Sequence, residues 1–230
     1  MDLTLTVSGK KCVKCNRLER LSENDLCDRC TAVIERRDHV SDEFKARRFL
    51  SLAGSKYQDA DKDDLEPSIR KAFGELKSDE DVFMHGPVGT GKTYAMAALI
   101  RHYLNEGYEC ERINFDDFCI EVRSTMSPAA KKTEWQLIEP LKAVDKLFID
   151  DLGLRSKQES DFAYVTLYSI LNKRQERGLP TYISTNRSLK DIAEKFDARI
   201  GSRLTEARVI LVAGQDRRAN KPVTVTGQSM

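Results

Sequence analysis

From about residue 80 onward, short apolar-rich runs alternate with longer stretches of helical spacing. The runs fall at 82–85, 109–115, 146–149, 180–184 and 208–213. Such runs read as strands buried on both faces, and the stretches between them, 93–106 for example, read as amphipathic helices. The alternation predicts an α/β fold with a mostly parallel sheet covered on both faces. In a sheet of that kind, ligands bind at the carboxyl ends of the strands.

Upstream the pattern is looser. Residues 31–37 read as a helix. Residues 39–60 stay charged, with Phe44, Phe49, Leu50 and Leu52 spaced as for one helix face. The acidic stretch 59–64 reads as an exposed loop, and Pro67 opens a helix to about Leu76, Pro being favourable in a first turn. The expected division is a small module at 1–38, a helical linker at 39–78, the α/β domain at 79–214 and a polar tail at 215–230 that carries Arg217 and Arg218.

Composition narrows the class. A chain of 230 residues and 26.2 kDa holds one α/β domain and a small appendage. With 38 Lys and Arg against 37 Asp and Glu the net charge is +1, so any nucleic-acid footprint must be local. No apolar run approaches the roughly 20 residues of a membrane span, and the first residues lack the form of a signal peptide. A cytoplasmic, membrane-free protein is expected. Its cysteines are then reduced and clustered ones bind metal.

Four of the six cysteines form two C-x₂-C knuckles, Cys12–Cys15 and Cys27–Cys30, separated by eleven residues. Two thiolates from each knuckle can share one tetrahedral ion, which points to structural Zn²⁺ with no open position for catalysis. A segment this short buries too little core to fold alone, so the metal supplies much of its folding free energy. Lys10, Lys11, Lys14, Arg17, Arg20 and Arg29 interleave with Glu19, Glu23, Asp25 and Asp28, and no aromatic residue precedes His39. That tilts the module toward docking a protein rather than stacking on bases. Cys110 and Cys119 read as small buried residues.

The chemistry of the α/β domain begins at the G-x-x-x-x-G-K-[ST] stretch Gly86, Pro87, Val88, Gly89, Thr90, Gly91, Lys92 and Thr93, set between a strand and a helix that runs on through Tyr94. Loop N–H groups and the helix dipole make a phosphate cradle. Lys92 is expected to reach the β- and γ-phosphates of a nucleoside triphosphate, and Thr93 to ligate Mg²⁺. The run 147–149 ends in Asp150, placed to hold Mg²⁺, and Asp151, placed to orient and deprotonate the attacking water. Asn186, after the run 180–184, reads equally as a turn former or as a polar sensor beside the γ-phosphate. Arg199 and Arg203 lie four apart on one face of a short helix, either a solvated basic face or a cation offered to a neighbouring subunit's nucleotide.

Taken together, GPVGTGKT (86–93), RINFDDF (112–118), LFIDDLG (147–153), ISTN (183–186) and ARIGSRLTEA (198–207) resemble the AAA+ ATPases, and within them the DnaC/DnaI-type replicative helicase loaders and their IstB-like relatives. The resemblance covers roughly residues 80–213. It implies a five-stranded parallel sheet of order 5-1-4-3-2 without a full C-terminal lid, ATP-dependent self-assembly, and sites completed in trans by Arg203 with Arg199 as its support. Arg217 or Arg218 stands where a second sensor would. The stretch 119–142, with Arg123, Lys131, Lys132, Trp135 and Lys142, falls where initiator-type members face single-stranded DNA, although a solvated helix accounts for it equally well. The implied function is ATP-dependent loading of a DnaB-type hexameric helicase onto single-stranded DNA, with the amino-terminal module gripping the helicase. A transposition helper ATPase is the alternative. A P-loop small-molecule kinase has no use for the 198–207 helix.

Overall fold

A computed structural model describes residues 10–12, 14–15, 18–19, 25–153, 157–195 and 198–216. Arg17, Arg20 and Glu23 of the module, and Arg217 and Arg218 of the tail, lie outside the described residues.

Two short strands, β1 (Lys10–Lys11) and β2 (Leu18–Glu19), pair antiparallel and are followed by helix α1 (Asp28–His39). Helices α2 (Asp42–Ala53) and α3 (Pro67–Gly74) come next, α2 with the Ser41 hydroxyl capping its first turn. The α/β domain then runs β3 (Val82–His85), α4 (Lys92–Asn105), β4 (Cys110–Asn114), α5 (Phe115–Ser124), α6 (Glu134–Ala143), β5 (Lys146–Asp150), α7 (Lys157–Glu176), β6 (Thr181–Thr185), α8 (Leu189–Lys195), α9 (Ala198–Leu204) and β7 (Arg208–Leu211). The run expected as a strand over 109–115 ends one residue early: Asn114 ends β4 and caps α5 by accepting from the Asp117 N–H at 3.2 Å, so Phe115 already belongs to the helix.

The five long strands are all parallel, in the order β4-β5-β6-β3-β7. Counted from β3 this is 5-1-4-3-2, the order that the resemblance implies. Side chains alternate between two apolar layers. Val82, Met84, Phe148 and Tyr182 face a layer with α2, α3 and α4, whereas Phe83, Leu147, Ile149 and Ile183 face one with α5, α6, α7 and α9. Burial on both faces explains why these strands read as apolar runs rather than as alternations.

The stretch 39–78 contributes directly to the first layer through Phe49, Leu52, Ile69 and Phe73. Of the four residues that the spacing places on one face of α2, Phe49 and Leu52 are buried, but Phe44 and Leu50 are exposed. The buried stripe is 49-52-53, and positions 44 and 50 turn away from it at 100° per residue. No described helix is long and apolar enough to cross a membrane.

Helix α1 lies against the α/β domain. Arg29 and Arg36, two turns apart on one face, converge on the buried Asp145 that precedes β5. Arg29 Nε donates to Asp145 Oδ1 at 2.9 Å, Arg36 NH2 to Oδ2 at 2.5 Å, and the Glu109 N–H to Oδ2 at 3.0 Å. The backbones touch at Gly107, whose φ is +85° and where a Cβ would meet the Val33 carbonyl oxygen at 2.2 Å. Arg36 Nε also donates to the Gly107 carbonyl at 2.9 Å.

Candidate functional site

The parallel register sets the carboxyl ends of β3, β6 and β5 side by side, with His85 opposite Thr185 and Ile149 opposite Ile183. Everything the sequence assigns to phosphate and Mg²⁺ therefore leaves adjacent strand ends. After β3 the loop 86–91 turns sharply, and Gly91 takes φ +101° as the N-cap of α4, a conformation that side-chained residues rarely adopt. No side chain caps that turn, so the N–H groups opening α4 point into the cradle, where an anion fits. Lys92 is buried, its ammonium donating to the carbonyls of Gly86 at 2.8 Å and Pro87 at 2.7 Å. The Thr90 hydroxyl closes the loop on the Pro87 carbonyl at 3.0 Å. Tyr94 turns the other way, its hydroxyl near the Asp59 carbonyl and Asp64 at 3.3 and 3.4 Å.

Across the cradle the Thr93 hydroxyl meets Asp150 Oδ1 at 3.4 Å. A hydroxyl and a carboxylate oxygen this close form a hard, oxygen-only donor set of the kind that Mg²⁺ takes together with phosphate and water. Asp150 is 3% exposed. Its second oxygen accepts from Arg112 NH2 at 2.6 Å, and the Ser184 hydroxyl donates to the first. The same Ser184 oxygen accepts from the Asp151 N–H at 3.1 Å. Asp151 is exposed and sits at φ +57°, one of two described non-glycine residues with positive φ. A left-handed Asp costs less than most residues there, and strain of this kind collects at working sites. Asp151 follows the end of β5, whereas the Asp150 carboxylate is held by Arg112 and Ser184. Asn186 is exposed just past β6, and the Thr185 hydroxyl ties that exit to the Leu152 carbonyl at 2.6 Å.

Arg203 is not brought to this loop. Its guanidinium donates to Tyr168 OH at 3.2 Å, and also to the side-chain oxygens of Asn172 and Gln175 on α7. It lines a small cavity with Asp81, Val82 and Thr181, at the amino ends of β3 and β6. The loop follows the opposite end of β3, about 13 Å of strand away. Arg199 is exposed and lies over the same Tyr168 ring, 5.1 Å from its centroid. In the stretch 119–142, Trp135 is 69% exposed and Lys131 and Lys132 are exposed nearby.

The second candidate site is the cysteine cluster. The Sγ atoms of Cys12, Cys15, Cys27 and Cys30 all lie within 4.8 Å of one another, and Cys15 and Cys27 are 3.7 Å apart. A tetrahedron with Zn–S bonds of about 2.3 Å has edges of roughly 3.8 Å, so the donor set fits a thiolate-bound metal; a disulfide needs about 2.05 Å. Burial pushes the Cys27 thiol up to about 11 and Cys30 higher still. For Cys12 burial acts the same way but is outweighed by the backbone N–H groups of Cys27, Cys15 and Lys14, which bring it down to about 6. Buried thiols held this close gain from a shared cation that charges them together. Cys110 and Cys119 are buried, as expected.

Sequence reasoning missed Arg112, Ser184 and Asp145. For Arg112 and Ser184 the available signal was a charged or hydroxylated residue inside a run otherwise reserved for the core; Asp145, just before such a run, carried none.

Comparisons with known proteins bear on the family and the fold. The bacterial DnaA ATPase domain family matches residues 68–210, more than half of the chain. The replicative helicase loader DnaC of Escherichia coli (strain K12) is 28% identical over 119 residues, which are 52% of this chain and 47% of that protein. The replicative helicase loader DnaI of Bacillus subtilis (strain 168) is 23% identical over 126 residues, 55% of this chain and 39% of that protein. The chain thus spans about half the length, or less, of these relatives. A crystal structure of a Streptococcus pyogenes serotype M3 putative primosome component is similar at a TM-score of 0.58 and 25% identity, over 77% of this chain and 100% of that one.

Proposed function

Because the chain belongs to the bacterial DnaA ATPase domain family, we propose that it is an ATP-dependent loader of a DnaB-type hexameric replicative helicase onto single-stranded DNA, acting in the cytoplasm at the initiation of replication. One observation carries the reading. Lys92, Thr93, Asp150, Asp151 and Asn186 stand on adjacent strand ends, in a chain similar to proteins named replicative helicase loader.

In this reading residues 86–94 hold ATP, with the α4 N–H groups and Lys92 on its phosphates. Mg²⁺, held by Thr93 and through water by Asp150, would supply charge neutralisation at the phosphates. Asp151 takes the proton from the attacking water, and Asn186 positions that water. Arg203, a strand's length from its own loop, reaches the nucleotide of a neighbouring copy, with Arg199 beside it, so turnover requires assembly. Exposed Trp135 with Lys131 and Lys132 suits a stack-and-funnel contact to single-stranded DNA. The four cysteines hold structural Zn²⁺, and the module they organise grips the helicase; residues 79–214 form the ATPase unit.

The test is loading itself. A DnaB-type hexamer incubated with this chain, ATP and circular single-stranded DNA should become DNA-bound, and ATP replaced by ADP should leave it free. Cys12→Ser with Cys27→Ser should reduce bound zinc from one equivalent per chain to nearly none and abolish helicase capture. Loading that is indifferent to nucleotide, or capture that survives metal loss, contradicts the reading.

A further inference from the structure

Asp150 has a cationic partner that the phosphate-loop machinery does not call for. Arg112 stands on β4, the edge strand, diagonally across the sheet from Asp150, with Arg112 paired to Phe148 and Asn114 to Asp150. Its NH2 donates to Asp150 Oδ2 at 2.6 Å and its NH1 to the Leu52 carbonyl, in the last turn of α2, at 3.0 Å. The side chains of Arg112 and Asp150 are 20% and 4% exposed. The guanidinium is therefore clamped between the carboxylate and α2. With Oδ2 fixed by Arg112, Oδ1 is left toward Thr93 and Ser184.

We propose that Arg112 is a positioning residue for Mg²⁺: it holds the Asp150 carboxylate turned so that Oδ1 faces Thr93, before nucleotide arrives. This rests on the reading of Thr93 and Asp150 as the Mg²⁺ site. A buried carboxylate needs a partner, and a planar guanidinium with a second anchor on the Leu52 carbonyl fixes its orientation. Removing Arg112 relieves some repulsion toward Mg²⁺. It also leaves a buried carboxylate without its partner, and the loss of such outer partners costs metal sites about 10–100-fold in affinity or activity. The net effect is weaker metal binding.

The experiment titrates Mg²⁺ into the full chain with a fluorescent ATP analogue and reads the Mg²⁺ concentration at which analogue binding tightens. Arg112→Met should raise that midpoint by about tenfold while metal-free binding of the analogue, which rests on the loop and Lys92, stays as in the wild type. Arg112→Lys, which keeps the charge but not the fork, should shift it less in the same direction, and serves alone should Arg112→Met fail to fold. In an Asp150→Asn background Arg112→Met should change nothing, because the two act as one unit. An unchanged midpoint overturns the proposal, as does an equal loss of analogue binding with and without Mg²⁺. If the wild-type chain binds no analogue at all, the nucleotide reading itself is wrong and this proposal falls with it.

Discussion

Asp151→Asn is expected to lower ATP turnover by about 10²–10³-fold while nucleotide affinity stays at the wild-type level, because a positioned general base contributes on that scale to the reaction and little to binding. The division of labour at the end of β5 is the reason. Asp150 is buried, and its two oxygens are held by Arg112 and Ser184. Asp151 is exposed, and its backbone N–H is anchored on the Ser184 hydroxyl at 3.1 Å. The first carboxylate is built to stay still and the second to face water. Asn is the right replacement because Asp151 sits at φ +57°, a conformation that Asn tolerates nearly as well as Asp. Any loss is then one of proton transfer rather than of backbone geometry. Single-turnover hydrolysis compared with analogue affinity checks it; turnover near the wild-type rate would assign the base elsewhere.

The largest stability effect is expected at Arg174→Met, about 4 kcal/mol, or a fall of roughly 10 °C in melting temperature for a domain of this size. Arg174 is completely buried near the end of α7. Its guanidinium donates to the carbonyls of Leu141 at 2.7 Å, Val144 at 2.8 Å and Pro180 at 2.6 Å, and to the Thr181 hydroxyl at 3.0 Å. One side chain thus satisfies the end of α6 and the approaches to β5 and β6. Met fills the volume but donates nothing, so several buried carbonyls lose their partner at once. Thermal unfolding of the purified chain reads the effect, and a change under about 1 kcal/mol would mean that water or backbone shifts replace the donors.

The parallel strands were legible in the sequence because burial on both faces forces apolar runs, and β3, β5 and β6 lie within a residue or two of where those runs fall. The phosphate loop was legible because its constraints are local: a glycine that takes φ +101°, then a Lys and a Thr that open a helix. What was not legible is what depends on distant strands becoming neighbours. Arg112 and Ser184 are 38 and 34 residues from Asp150 and meet it only because β4, β5 and β6 are adjacent. Arg29 reads as one of the interleaved charges of a small module, and Arg36 only as part of the helix at 31–37. Their convergence on Asp145, 116 and 109 residues away, is a product of packing, and it makes α1 a helix shared between the cysteine cluster and the α/β domain.

The central claim is that each nucleotide site is completed by a second copy of the chain. It is tested most directly by mixing two variants that are each expected to be inactive, Lys92→Ala, which lacks the cradle's cation, and Arg203→Ala, which lacks the arginine offered across the interface. In the mixture some interfaces combine an intact loop from one chain with an intact Arg203 from the other, and ATP hydrolysis should rise well above that of either variant alone. A mixture that hydrolyses no more than its components, or an Arg203→Ala protein that alone turns over ATP like the wild type, would contradict it.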